Sequence, residues 1–141
     1  MKNAPLIELL DWERARGQAA PIRFAVFVEE QGVPFEIELD EYDTVSIHAL
    51  AFDGEKAVGT GRLLPDGHIG RMAVLKRFRG KGIGGALLEA LMKAAKARGD
   101  REVVLSAQVD ALRFYGAHGF QPEGDEYMEA GIRHQAMKRT L

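Results

Sequence analysis

Two stretches of this chain carry residue types whose spacing could do chemistry. The first is Arg79-Gly80-Lys81-Gly82-Ile83-Gly84-Gly85, which opens a strongly apolar helical pattern. The first N–H groups of a helix have no partner within it, and the helix dipole favours an anion there. Glycines allow a phosphate close to that backbone, and Lys76, Arg77, Arg79 and Lys81, with Arg71 nearby, add charge-assisted contacts. The second is Ala111 to Phe120, ALRFYGAHGF, where Tyr115 stands four residues before Gly119-Phe120. A phenol there can donate a proton or a hydrogen bond.

A phosphate loop admits several ligand classes. A nucleoside triphosphate loop needs Ser or Thr directly after its Gly-Lys, and here Gly82 follows Lys81. Gly80, Gly82 and Gly85 satisfy G-x-G-x-x-G as letters, yet a dinucleotide fold starts that pattern directly after a strand and answers it with an acid about 20 residues on. Leu75 to Arg79 intervene, and position 105 is leucine. The glycines and cations alone also fit tight packing and a solvated basic face.

The elements that must position these residues follow from periodicity. Pro5 to Trp12 reads as a strand, and Ala19 to Val28 as a helix with Pro21 in its first turn and Ile22, Val26 and Phe27 facing the core. Glu29 to Asp43 holds seven acids and no base, broken by Gly32 and Pro34, and reads as a surface loop or short irregular helix. Ser46 to Phe52, Lys56 to Leu64 and His68 to Val74 are strands joined by the turns at Gly54 and Gly67. Ile83 to Arg98 is a helix stopped by Gly99. A buried strand at Glu102 to Ala107, a short helix at Ala111 to His118, and strands at Gln121 to Glu129 and Ile132 to Thr140 complete the chain. The result is a mixed α+β fold with one central, mostly antiparallel sheet of about seven strands, about four helices and one crossover unit carrying the glycine loop.

With 141 residues the chain fits one domain spanning 1–141. Its formal charge of −2 offers no global attraction to nucleic acid or to an anionic membrane, and the basic zone lacks interleaved aromatics beyond Phe78. No apolar run approaches the roughly 20 residues of a membrane span, and no signal pattern opens the chain, so a cytoplasmic protein is expected. The absence of cysteine removes disulfides, thiolate metal sites and a cysteine nucleophile, and four scattered histidines lack ligand spacing, so no metal is expected.

The loop Arg79-x-x-Gly82-x-Gly84, together with Tyr115 and Gly119-Phe120 at this distance, resembles the GNAT family of N-acetyltransferases, with Arg23 to Gln31 and Gly124 to His134 similar to its ElaA-like bacterial subgroup. The order of elements resembles that family's over nearly the whole chain. The resemblance implies acetyl-CoA as co-substrate and acetyl transfer to a primary amine of a small molecule or protein by direct attack on the thioester. It implies that Arg79, Gly80, Lys81, Gly82, Ile83, Gly84 and Gly85 hold the pyrophosphate. The backbone of Met72, Ala73 and Val74 would serve the pantetheine arm and the oxyanion, and Tyr115 would be the general acid. Gln108 stands seven residues before Tyr115 where many members carry asparagine; it keeps the amide with a different reach.

For the general base the sequence does not decide among Glu29, Glu30, His48 and a water relay; Glu30 and His48 are the candidates named, against the plainer readings of a helix end and a core histidine. The acidic segment could draw a cationic amine to the acceptor side. A non-catalytic acyl-CoA-binding module and, further off, a dinucleotide-dependent oxidoreductase are the alternatives. Strand edges near the C-terminus could pair in a homodimer.

Overall fold

The computed structural model describes residues 5–141, with the side chains of all but Glu36 and Ile37. Strand β1 is Leu6–Leu10 and is followed at once by helix α1, Trp12–Arg23. This helix begins seven residues earlier than the sequence predicts. Its start is fixed by Asp11, whose side chain accepts the Arg14 N–H at 3.0 Å. Pro21 therefore lies inside the helix, not in its first turn. Lacking an N–H, Pro21 cannot answer the carbonyl four residues back. The chain then continues directly as a π-helix, Phe24–Glu30, and the Phe24 N–H is shared between the carbonyls of Ala20 and Pro21. Ala15, Ala19, Ile22 and Val26 face inward along this continuous rod.

Short helix α2, Phe35–Glu38, and a 3₁₀ turn, Glu41–Val45, form the acidic segment. It is not a free acidic surface. Arg23, fully buried, donates to Glu38 Oε1 at 2.6 Å and to Asp43 Oδ1 at 2.8 Å. Arg62 reaches Asp40 at 2.7 Å and Asp43 at 2.9 Å, and Arg71 reaches Asp40 at 3.2 Å. Three guanidiniums, Arg23 of α1 with Arg62 and Arg71 farther along the chain, thus answer three carboxylates and pin the segment in place. Burial pushes the Asp43 carboxyl up, but its bonds to Arg23 and Arg62 outweigh that and hold it below the ordinary aspartate value.

β2 (Ile47–Asp53), β3 (Lys56–Leu63) and β4 (Ile69–Val74) follow as two hairpins. Helix α3 is Ile83–Ala97, β5 is Glu102–Gln108, α4 is Leu112–Ala117, and β6 (Gln121–Glu129) and β7 (Ile132–Thr140) close the chain. The face of α3 formed by Ile83, Leu87, Leu88, Leu91, Met92 and Ala95 is buried against both groups of strands. Each such leucine contributes roughly 1.5–3 kcal/mol by leaving water.

Among the described residues the seven strands form two sheets, in the orders β1-β2-β3-β4 and β5-β7-β6, not one. All neighbours within each are antiparallel. Just ahead of β4, His68 makes a single parallel bridge with Val104 of β5, and among the described residues no ladder joins the two strands. β4 also carries a bulge. Thr60 pairs with Ala73 and Arg62 with Gly70, so Arg71 and Met72 together oppose Gly61. Arg71 takes φ 50°, and a Cβ on Gly61 would run into Met72 Sδ. The bulge lies on the strand that has no ladder to β5, and a cleft opens beside it.

Candidate active site

That cleft holds a cavity of 560 Å³ lined by the Ile69–Val74 strand, the end of the π-helix and the outer face of the second sheet. A second cavity of 440 Å³ runs under the glycine loop and along α4. Met72, Ala73, Val74, Arg79, Ala111 and Tyr115 line both, so the two are halves of one passage that meet at β4 and Tyr115.

The glycines divide by function. Gly80 and Gly82 have φ 76° and 83°, and a Cβ on either would point into open space. Their role is conformational: the left-handed turn at Gly82, the residue before α3, aims the backbone of Ile83, Gly84 and Gly85 outward. The Ala86 N–H, bonded to the Gly82 carbonyl, is the first answered within the helix, so the three before it are available to an anion. Gly84 and Gly85 serve packing instead. A Cβ would come 3.4 Å from the Phe114 ring at the first and 3.1 Å from His118 Nε2 at the second. The packing reading of this loop holds at Gly84 and Gly85, while Gly80 and Gly82 face open space.

The cations are not all aimed at that backbone. Arg79 donates through Nε to the Val74 carbonyl at 2.9 Å and makes a paired contact with Glu30 at 2.6 and 2.7 Å. Lys81 Nζ and the Arg77 guanidinium lie 5.5 and 5.9 Å from the Phe78 ring centre, and Phe78 itself lines the second cavity.

Tyr115 is packed edge-on against Phe114 and Phe120, with ring centres at 5.0 and 6.0 Å. Gly119, at φ 89°, reverses the chain so that the Phe120 N–H returns to the Tyr115 carbonyl at 3.2 Å. Phe120 thereby becomes the inner wall behind the tyrosine. Burial pushes the Tyr115 phenol up to about 12, so it keeps its proton throughout the physiological range.

The two base candidates lie elsewhere. His48 is buried beneath α1, with its ring centre 4.8 Å from Trp12, and its Nε2 donates to the Asp43 carbonyl at 2.8 Å. It does not line either cavity. Burial holds its imidazole below the ordinary histidine value, so it is a neutral hydrogen-bonded core residue. Glu30 also stands outside both linings, and its bond to Arg79 holds its carboxyl below the ordinary value. A carboxylate so engaged is a poor proton acceptor.

Gln108 lines the cavity, and its amide pairs with that of Gln31. The sequence reading passed over Gln31, Ser106, Glu129 and His134, all in the cavity wall. They come together because β5 pairs with β7 and β7 with β6, setting Gln108 opposite His134, and His134 opposite Tyr127. Residues directly opposite in antiparallel strands share a face. The period-2 alternation of Ile132, His134 and Ala136 was a readable sign of a shared face, but its partner strand was not.

The comparisons agree with this geometry. Residues 18–141 match the model of the acetyltransferase (GNAT) domain. The chain is 43% identical to the uncharacterized N-acetyltransferase YjcF of Bacillus subtilis over 122 residues, covering 84% of this chain and 87% of YjcF. Among solved structures it superposes on an acyl-CoA N-acyltransferase from Pseudomonas aeruginosa with a TM-score of 0.85 and 30% identity, over 96% and 99% of the two chains. Escherichia coli ElaA superposes with a TM-score of 0.86 and 28% identity, over 95% and 99%. With a glycine loop opening α3, a cleft beside β4, and a tyrosine where the two cavities join, the chain belongs to the acetyltransferase (GNAT) family.

Proposed function

We propose that residues 1–141 act as one acetyl-CoA-dependent N-acetyltransferase domain, in which a primary amine of a small molecule or protein attacks the thioester directly. The observation that carries this reading is the continuous passage from the glycine loop to the face of the second sheet, pinched at β4 and Tyr115.

The residues suit the donor. Open space beyond Gly80 and Gly82 and the outward N–H groups of Ile83, Gly84 and Gly85 form a cradle that any larger side chain would obstruct, and it matches a pyrophosphate. The backbone of Met72 to Val74 runs along both cavities and has no ladder to β5, so its edge can bond a pantetheine arm and an oxyanion. The Gln108 amide sits on the same path. Acetyl-CoA supplies an acyl group activated as a thioester. A chain without cysteine has no thiol on which to park it, which favours direct attack.

Tyr115 acts as the acid in a restricted sense. A thiol with an ordinary value near 8.5 is a far stronger acid than a phenol near 12, so full transfer from Tyr115 to the departing thiolate is uphill by about 5 kcal/mol. Tyr115 therefore stabilises the thiolate by donating a hydrogen bond. The proton that finally settles on sulfur comes from the nitrogen being acylated.

Saturable thiol release on mixing the protein with acetyl-CoA and a panel of primary amines tests the reading. Binding of NADH without binding of acetyl-CoA overturns it. Acetyl-CoA binding with no release on any amine favours the non-catalytic module.

A further inference from the structure

We propose that His134 is the general base of this site, with Glu129 as the carboxylate that receives the resulting positive charge. The proposal rests on the acetyltransferase reading above.

His134 lies in the cavity wall and is only 6% exposed. Its Nδ1 is 2.7 Å from the Ile132 carbonyl oxygen. A carbonyl can only accept, so Nδ1 carries the hydrogen and the neutral ring keeps its lone pair on Nε2. Nε2 lies 3.7 Å from Glu129 Oε2, too far for a hydrogen bond but near enough for that carboxylate to face the charge the ring gains on taking a proton. The ring is held in place on its other side. Tyr127 stacks on it at 6.0 Å with planes 23° apart, and the Tyr127 hydroxyl is hydrogen-bonded to Ser106 on β5. A fixed tautomer, a lone pair on Nε2, a neighbouring carboxylate and a stacked ring suit a base, and unlike His48 and Glu30 this residue lines the cavity.

Position supports the role. His134 pairs in register with Gln108, which lines the same cavity as Tyr115, so the base and the acid share one chamber. Glu129 is more than half exposed at the mouth of that chamber and carries the charge that attracts an ammonium. The other charged or titratable groups lining this cavity are Glu38, Arg62, His68, Arg71 and Arg79 with Tyr115. Glu38 and Arg62 are committed to ion pairs, and Arg79 is paired with Glu30.

The proton count closes. His134 Nε2 takes one proton from the incoming ammonium, and the freed amine forms the N–C bond. The C–S bond breaks with its pair on sulfur, within reach of the Tyr115 hydrogen bond. The nitrogen's surplus proton goes to sulfur, the amide keeps its remaining hydrogen, and His134 returns its proton to water past Glu129.

The test has an acceptor-free part and a kinetic part. Long-range ¹H–¹⁵N spectra of the wild-type protein, with the His134 signals assigned by their loss in His134→Gln, are expected to show hydrogen on Nδ1 and none on Nε2 in the neutral ring. The opposite tautomer overturns the proposal. In the amine panel, His134→Gln is expected to bind acetyl-CoA within twofold of wild type while kcat/KM for the amine falls about 100-fold. The acidic limb of the pH profile should disappear, and imidazole should restore part of the rate to His134→Ala. Glu129→Gln should lower kcat/KM for cationic amines several-fold, because the chamber loses the carboxylate that attracts them. Turnover within threefold of wild type and an unchanged limb overturn the base alone. Failure of the wild-type protein to bind acetyl-CoA overturns the acetyltransferase reading, and the base with it.

Discussion

Gln31 and Gln108 exchange hydrogen bonds across the cleft: Gln108 Nε2 donates to Gln31 Oε1 at 2.8 Å, and Gln31 Nε2 donates back to Gln108 Oε1 at 3.4 Å. One stands at the end of the π-helix and the other at the end of β5, 77 positions apart, so the pair ties the two walls of the cavity where no backbone ladder does. Removing either amide leaves the other part-buried and unpaired, at a cost of about 1 kcal/mol. Gln31→Ala and Gln108→Ala should therefore lower the melting temperature by similar amounts. If the Gln108 amide holds the pantetheine arm, only Gln108→Ala should also weaken acetyl-CoA binding, by about tenfold in a calorimetric titration. Equal binding losses would place Gln108 in the wall and not on the donor.

The division among the glycines yields a separable pair of outcomes. Gly82→Glu places a carboxylate and its bulk in the open space before α3, next to the N–H groups proposed for the pyrophosphate. Acetyl-CoA binding should be lost, while stability falls by only about 1–2 kcal/mol for forcing a side chain into the left-handed region. Gly85→Val meets His118 and should instead lower stability with a smaller effect on the binding that remains. Thermal melts and calorimetry on both variants check the crossing pattern.

Arg23 is the centre of the network that fixes the acidic segment. Arg23→Ala leaves Glu38 and Asp43 buried without it, and such a deletion costs about 3–5 kcal/mol. The pH dependence follows from Asp43. Its folded value is below the ordinary 3.8, so the stability it contributes is complete above that value and is lost as pH falls through the lower folded one. Wild type should therefore lose stability on acidification through this window, and Asp43→Asn, already less stable at neutral pH, should lose less. Denaturant unfolding at pH 7 and near pH 3 measures the difference.

Local signals made several of these elements legible in the sequence. Leu87, Leu88, Leu91 and Met92 at helical spacing defined α3, and the turns at Gly54 and Gly67 defined the β2-β3-β4 hairpins. The start of α1 was missed because Asp11-Trp12 was read as the end of a strand and Pro21 as a helix start, although Asp11 is a good cap. The split into two sheets and the sharing of one partner by Arg71 and Met72 are facts of strand register with no local signature. The acidic segment reads as a surface loop because its partners Arg23, Arg62 and Arg71 lie 15 to 33 positions away. His134 was passed over for the same reason: its neighbours Gln108 and Tyr127 reach it only through the β5-β7-β6 pairing.

Tyr115→Phe isolates the phenol from its ring. The ring packs on Phe114 and Phe120 and walls both cavities, and phenylalanine keeps those contacts, so fold and donor affinity should change little. What is lost is one hydrogen bond to a charged thiolate, a group that exists only as the C–S bond breaks. Bonds to charged groups contribute about 1.5–3 kcal/mol, which corresponds to a fall in kcat of roughly 10- to 150-fold with the KM for acetyl-CoA unchanged. Because burial keeps the phenol protonated up to about 12, the wild-type profile should show no basic limb from Tyr115 below pH 10. Amines whose acylated nitrogen gives up its proton readily should be least sensitive to the substitution, since they supply the sulfur without help. Stopped-flow thiol release with wild type and Tyr115→Phe across the amine panel checks this, and an unchanged kcat would remove Tyr115 from the chemistry.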